Sequence, residues 1–430
     1  MGSHYFSTCR TDERFTSESE LPLVSGGSKV VVRDWDQRRC VDVWGPREHD
    51  DEFVFKAVER FIDTLPIDVI KVQLSEDGSV SSSSSDPVHD VSYVPFYPAR
   101  TDFPRRVPTV CRRDLTEVDR LGLQVDMVTY KPRQGETRKV VFKYNITERN
   151  VSLFWHEVNC VMRMPTHPNI VPFDALVVDA ADGVDRVVGF TTVYIPGETL
   201  HVNKDRLFKL KYLEQLIKTV DFLNLHLGIV HGDICPWNLL IDPKTDSIQL
   251  FDFNSGAKLG WEGDNDHRRA FRYDKHRNDV KFVVFTLYEI ITREFCFSQE
   301  FYPHELDQSK IMRKRRWEKH NDVRLDGPVE DFRRILSNWV KERTKSDTLI
   351  NHYTKAAEPL DWPQLHVPPE MVVHSCFPVN GILRSSLISS GKGFLRWERP
   401  PSRALLLAKG QRLLATGEVV QDDVGSGTTA

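Results

Sequence analysis

The stretch GIVHGDICPWNLLID, residues 228–242, brings His231, Asp233 and Asn238 together between apolar runs. Pro236 lies between Asp233 and Asn238, and a proline there argues against one helix carrying both polar groups. The geometry expected is a tight loop that turns both side chains toward one point. Such a loop suits phosphate and metal chemistry. It is equally a structural turn in which Asp and Asn bond backbone amides. Three more charged residues stand at telling places: Lys143 at the end of VVFK, Glu157 in WHEVN and Asp252 in IQLFDFN. Each has a plain alternative. Lys143 reads as an exposed strand lysine, Glu157 as a helix-surface acid, Asp252 as a turn former and Asp279 as a helix cap. Jointly they need several coincidences of order and spacing.

The elements that must position these residues can be read from periodicity. QVDMVTYK and RKVVFKYN alternate like an antiparallel pair joined at PRQGET. VSLFWHEVNCVMRM carries Val151, Phe154, Val158, Val161 and Met162 at helical spacing. PNIVPF and VVGFTTVYI read as further strands. DRLFKLKYLEQLIKTVDFLNLHLG reads as one long amphipathic helix with Gly228 as its C-terminal cap. NLLI is a short strand, IQLF another, and beyond residue 260 the chain reads mostly helical. Strands with one helix followed by helices give an α+β order in two lobes with a cleft between them.

Ahead of this lies a polar segment to residue 27, expected to be loose. A small α/β element comes next, with strand-like runs at KVVVRDW and DVIKVQL around the helical pattern DDEFVFKAVERFIDTL. It is too small to stand alone and is expected to dock on the lobes C-terminal to it. SEDGSVSSSSSDP, residues 75–87, reads as a linker or long loop. The expected division is 1–110 for this extension, 111–193 and 194–368 for the two lobes, and 369–430 for a tail. In the tail, SRALLLAKGQRLLATG hints at a short helix.

Bulk properties exclude several classes. The 430 residues, 40% hydrophobic and 28% charged, describe a globular chain of two or three units. A net charge of -4 gives no electrostatic case for nucleic acid or an anionic membrane. The basic run MRKRRWEK is expected to be a solvated helix face. Seven cysteines without a C-x-x-C pair fit a reducing, intracellular and cytoplasmic setting. The first residues lack the apolar run of a secretory signal, and Phe6 stands where a myristoylation signal wants Ser or Thr. No segment reaches the roughly 18 apolar residues of a membrane span.

The set Lys143, Glu157, Asp233, Asn238 and Asp252 resembles the protein-kinase superfamily. THPNIVPF, the hinge-like YIPGETL and the helix RNDVKFVVFTLYEIIT with Asp279 support the resemblance, which covers roughly residues 112–368. DRLG, LFDFN and TLYEIIT resemble the divergent protein-kinase-domain proteins of filamentous fungi. The resemblance implies a bilobal fold, with a small antiparallel-sheet lobe plus helix and a large, mainly helical lobe. It implies ATP and magnesium as cofactors and an unidentified protein as substrate or partner. Lys143 would hold the α- and β-phosphates, and Glu157 would fix Lys143. Asn238 and Asp252 would ligate magnesium. Asp233 would orient and deprotonate the attacking hydroxyl. His231 would support the loop and Phe253 would pack behind Asp252. Gly122 would belong to the phosphate loop. Backbone groups of Val193 and Ile195 would meet the adenine edge, Thr192 would back the pocket, and Val141 and Leu240 would sandwich the ring.

The chain departs from that pattern in four places. LGLQVDMVTY keeps Gly122 but has Gln124 and Met127 where the pattern has glycine, so side chains limit the approach of phosphate. DFN replaces DFG, and Asn254 is expected to supply the left-handed backbone. Gly232 replaces an arginine that pairs with a loop phosphate, and the segment after Asp252 has only Ser255 and Tyr273 as hydroxyls, so control by phosphorylation there is not expected. Cys235 stands where Ser/Thr kinases carry a lysine. HGDICPWN also resembles the loop of aminoglycoside- and choline-type kinases. Three readings stay open: a divergent, slow protein kinase, an ATP-binding pseudokinase acting as an interaction module, and a small-molecule phosphotransferase.

Overall fold

Alternating apolar residues build the first of two units. The computed structural model describes residues 14–22, 28–45, 51–132, 134–263, 272–294, 297–368, 371–372, 378–400 and 410–421. These are of mixed α and β structure. One unit draws on residues up to Val151, Asp174–Tyr194 and the chain from His366. The other comprises Ser152–Phe173 and Ile195–Leu365.

In the first unit, strands Phe15–Pro22, Ser28–Asp34, Arg39–Gly45, Lys71–Leu74 and Val80–Ser84 form a sheet in that order. Neighbours are antiparallel except Arg39–Gly45 and Lys71–Leu74, which run parallel. A parallel pair needs a crossover, and the helix Asp51–Phe61 supplies it. Its Val54, Ala57 and Val58, at helical spacing, pack with Val30, Val32, Val41, Val43 and Val72. Two expectations fail here. The polar segment before residue 28 contains the strand Phe15–Pro22, anchored by a buried Phe15. The Ser-rich stretch is not a linker: after a turn at Gly78 (φ 75°), Val80–Ser84 pairs with Lys71–Leu74. That strand is held by backbone bonds and its side chains are mostly exposed, so no apolar pattern marks it.

The second sheet of this unit has the order Thr109–Cys111, Phe173–Ala181, Val184–Val193, Arg138–Tyr144, Val125–Tyr130, Thr116–Gly122. The expected hairpin is present, with Val140 opposite Val128 and Lys143 opposite Val125. PNIVPF is not a strand. Its Ile170 makes one isolated bridge to Leu250, and the strand lies at Phe173–Ala181. Pro168 and Pro172 lack the N–H a ladder needs.

The N-terminal extension and the tail join this second sheet. Arg38, in the turn after Asp34, donates to Glu117 at 2.6 Å, to Asp126 and to the Ala415 carbonyl at 3.0 Å. Arg120 donates to Asp36 at 3.1 Å and to the Trp35 carbonyl. Arg399 donates to the Asp36 carbonyl at 2.6 Å and to Glu117. The strand Gly381–Leu383 pairs with Tyr93–Pro95, and Gln411–Leu413 pairs with Val419–Gln421. The helix expected at 402–417 is therefore absent from its described part, since Gln411–Leu413 is strand; residues 401–409 lie outside the described residues.

The second unit is mainly helical. Helix Val151–Val161 carries Glu157. The long amphipathic helix starts later than expected, at Leu210, because Leu207–Phe208 pairs with Arg324–Leu325. It buries Tyr212, Leu213, Leu216, Ile217 and Val220, and passes into one wider π turn over Phe222–His226. Gly228 comes after it with φ 69°, as a C-terminal cap requires. Helix Asp279–Thr292 is buried all round, with only Ile290 partly open, which makes it a core helix. Helix Val329–Leu349 adds Phe332, Leu336 and Trp339 to the same core. The basic run at 312–319 is helical only to Arg313, and its Trp317 is buried.

Candidate active site

The loop at Asp233 is fixed from below by one carboxylate. Asp279, at the start of the core helix and fully buried, accepts from the backbone N–H of His231 at 2.9 Å and of Gly232 at 2.8 Å. It also accepts from Asn224 Nδ2 at 2.8 Å, and Asn278 caps the helix through the Lys281 N–H. Three charge-assisted bonds to one buried acid make this a stiff anchor. Asp279 is thus more than a helix cap.

Above it, His231 is buried. Its Nε2 lies 3.0 Å from the Phe251 carbonyl, and its Nδ1 accepts from the Asp233 N–H at 3.3 Å. Phe253 packs against this ring at 4.7 Å between centroids. The turn Pro236–Asn238 then brings the Asn238 amide nitrogen to the Asp233 carbonyl at 2.9 Å and to Asp233 Oδ2 at 3.1 Å. Both bonds use the nitrogen, so the amide oxygen is the atom suited to a hard cation. Burial pushes the Asp233 carboxyl above its usual range. His231, Arg277 and the Asn238 hydrogen bond oppose that shift, and Asp252 reinforces it. A raised carboxyl is suited to accepting a proton.

The strand pair Leu239–Asp242 and Ser247–Leu250 carries the chain from Asn238 to Asp252. Asp252 has φ 68°, a left-handed backbone rare for a residue with a side chain. Residues held in such sparsely populated conformations cluster at active sites and switch regions. The expectation for Asn254 is corrected: Asn254 is not left-handed, and its Nδ2 donates to Asp252 Oδ2 at 3.2 Å instead. The short carboxylate at Asp252 takes the turn, and Asn254 steadies it.

Gly232 has a local reason. Its φ is 74°, and a Cβ there would lie 2.5 Å from the Ser255 carbonyl oxygen, so the arginine of the family pattern has no room. Cys235 is buried, and burial pushes its thiol up to about 12, which leaves a neutral group. A cavity of about 360 Å³ opens at Asp233, walled by Arg277, Phe282, Phe301, Tyr302 and Leu306. Sequence reasoning missed Arg277 and this wall. The available signal was Arg277 two residues before Asp279, beside a loop with no cation of its own.

The remaining predicted residues of the second unit are Glu157, buried on its helix, and Ile195 and Leu240, both half-buried. Leu240 bridges Thr199. In the first unit, Lys143 stands opposite Phe190 near the end of its strand, and Val141 stands opposite Thr192. Val141, Thr192 and Lys143 are half-buried and Val193 is exposed. Gly122 pairs with Val125 around a two-residue turn, Leu123–Gln124. Gln124 has φ 58°, and its side-chain oxygen accepts from the Ile146 N–H at 2.7 Å.

Among the described residues no cluster of three or more His, Cys, Asp and Glu is arranged to hold a metal, and no helix is long and apolar enough to cross a membrane. Magnesium at phosphate sites commonly takes only one or two protein ligands, so Asp252 and the Asn238 oxygen fit that donor set.

No protein-family model matches the chain. Curated relatives do. MAP kinase kinase mkk-4 of Caenorhabditis elegans is 25% identical over 202 residues, 40% of this chain and 53% of the relative. Protein kinase gsk3 of Schizosaccharomyces pombe is 33% identical over 110 residues, 23% of this chain and 28% of the relative. Protein kinase MCK1 of Saccharomyces cerevisiae is 31% identical over 109 residues, 23% of this chain and 29% of the relative. The chain thus spans from 28% to 53% of the length of these relatives. These homologues are protein kinases, and over the part of the chain they cover they support a likeness to the protein-kinase-like superfamily.

Proposed function

We propose that the chain is a divergent protein kinase that moves the γ-phosphate of ATP to a protein hydroxyl, slowly. The observation that carries this reading is the Asp233 carboxyl, held by Asn238 and raised by burial at the edge of a cavity of about 360 Å³. An acceptor hydroxyl entering there would give its proton to Asp233 while its oxygen bonds to the γ-phosphorus and ADP leaves. Asp252 and Asn238 would hold magnesium, which supplies charge neutralisation at the phosphates. Lys143, fixed by Glu157, would hold the α- and β-phosphates. Val193 and Ile195 would meet the adenine edge, Thr192 would back its pocket, and Val141 and Leu240 would cover its faces. Gly122 contributes the glycine that the phosphate loop retains.

The proposed organisation is bilobal, with residues 111–193 and 194–368 as the lobes, 1–110 as an extension and 369–430 as a tail. The unbridged thiols of Cys111, Cys160 and Cys235 suit a reducing intracellular setting. Slowness follows from Gln124 in the turn and from the neutral Cys235 where a lysine would neutralise charge. One missing charge contact costs roughly a hundredfold or more in rate.

Radiolabelled ATP with and without magnesium tests the reading. Wild type should label itself or a protein acceptor, and Asp233→Asn should not. Equal labelling by both favours the pseudokinase reading, which the Gln124 side chain in the phosphate loop already supports. Label on small alcohols alone favours a small-molecule phosphotransferase.

A further inference from the structure

The loop that carries Asp233 has no positive charge of its own. Between Gly228 and Asp242 there is neither Lys nor Arg. Gly232 leaves no room for one, and Cys235 is neutral. A cation nevertheless reaches this loop from another element. Arg277 Nη1 donates to the Gly232 carbonyl at 3.0 Å and to Ser255 Oγ at 3.1 Å. One guanidinium nitrogen thus joins the residue before Asp233 to the turn that comes after Asp252.

The base of Arg277 is itself fixed. Its N–H bonds the Asp274 carbonyl at 2.9 Å, Asn278 caps the helix beside it, and Asp279 holds the same Gly232 from its amide side. Gly232 is therefore gripped through both of its backbone polar groups, its N–H by Asp279 and its carbonyl by Arg277. Both acceptors of Arg277 are neutral, so its charge is not cancelled by either bond. Arg277 also lines the cavity that opens at Asp233.

We propose that Arg277 is a positioning residue for phosphoryl transfer: it ties the Asp233 loop to the Asp252–Ser255 turn and brings to the site the cation that the loop lacks. The inference rests on the reading of the chain as a phosphotransferase. It assigns part of the work of the absent loop cations to a side chain two residues before the core helix. The Ser255 hydroxyl is engaged in the tie, and the junction needs no phosphate to form.

The test compares wild type, Arg277→Lys, Arg277→Met and Asp233→Asn in the full chain. Arg277→Met should lower kcat by about a hundredfold while the KM for ATP stays within about threefold. Arg277→Lys keeps a charge and donors, and should recover kcat to within about tenfold of wild type. Backbone hydrogen exchange needs no turnover: Arg277→Met should speed exchange at both 231–233 and 254–256, and Asp233→Asn should leave 254–256 unchanged. The inference fails if Arg277→Met keeps wild-type kcat. It fails also if Lys and Met lose kcat equally, or if exchange rises in neither segment. Wild type that transfers no more label than Asp233→Asn overturns the phosphotransferase reading instead, and the exchange arm still decides whether the tie exists.

Discussion

Trp397 stacks on Tyr144, with ring centroids 4.9 Å apart and planes 18° from parallel. Tyr144 is the residue after Lys143 on its strand, so a side chain from the far end of the chain supports the strand that carries the proposed phosphate contact. The Trp397 indole also donates to Tyr97 Oη at 2.8 Å, and the Arg112 guanidinium lies 4.2 Å from its ring. Replacing a buried tryptophan by alanine costs about 3–5 kcal/mol. Trp397→Ala should therefore lower the urea midpoint of the chain clearly, although the residue is 254 positions from Lys143 in sequence (397 − 143). An unchanged midpoint would remove the tail from the structural account of the first unit.

His156 makes the stability of the second unit sensitive to acid. Its ring stacks on Trp362 at 4.1 Å, and burial pushes its imidazole down to about 3. An ordinary histidine of the unfolded chain titrates near 6.5. Below that pH the unfolded state binds a proton that the folded state refuses, so stability falls as pH drops from about 6.5 toward 3. The slope from one such group is at most about 1.4 kcal/mol per pH unit. His156→Phe keeps the stack and loses the proton. The difference in unfolding free energy between variant and wild type should grow in the variant's favour from pH 6.5 to pH 4, read by denaturant titration. A constant difference over that range would show that His156 does not titrate in this way.

Legibility tracked how local each signal is. The hairpin through Val128 and Val140 was readable because Arg138–Tyr144 buries every second residue, Val140, Phe142 and Tyr144. The loop at Asp233 was readable because its polar residues lie within one short segment. The strand Val80–Ser84 was not, since its side chains are mostly exposed and only the backbone pairs. The strand Phe15–Pro22 begins with a buried anchor, Phe15, ahead of the polar run Thr16–Glu20. Arg277 was not readable as part of the site. Its partners, Gly232 and Ser255, come near only when the core helix, the loop and the turn pack together. The left-handed backbone of Asp252 was misassigned to Asn254 because residue type gives a preference for such a turn and packing decides which neighbour takes it.

Nucleotide binding has a direct test. If Lys143, Asn238 and Asp252 hold Mg-ATP as proposed, nucleotide at about 100 times its dissociation constant should stabilise the fold by roughly 2.7 kcal/mol. A thermal melt with millimolar Mg-ATP should rise, and Lys143→Ala should reduce the rise. No shift in wild type at any attainable concentration would count against all three assignments.

Gln124 offers a sharp test of the proposed phosphate loop. It sits in a two-residue turn with φ 58°, a conformation glycine adopts without strain. Its side-chain oxygen accepts from the Ile146 N–H at 2.7 Å, which compensates that strain. Gln124→Gly would release about 1–2 kcal/mol of left-handed backbone strain, offset in part by about 0.4–1 kcal/mol for the added freedom of glycine in the unfolded chain. It would also give up one hydrogen bond, a net of about 1 kcal/mol. These nearly cancel, so stability should change by less than about 1 kcal/mol. Function should change more. Without the side chain the backbone N–H groups of the turn can approach phosphate, and the KM for ATP should fall several-fold with little change in kcat, since the added contact serves ground state and transition state alike. A rise in KM would mean that the Gln124 hairpin, as it stands, already forms part of the nucleotide contact. An unchanged KM would place the phosphates out of reach of this turn.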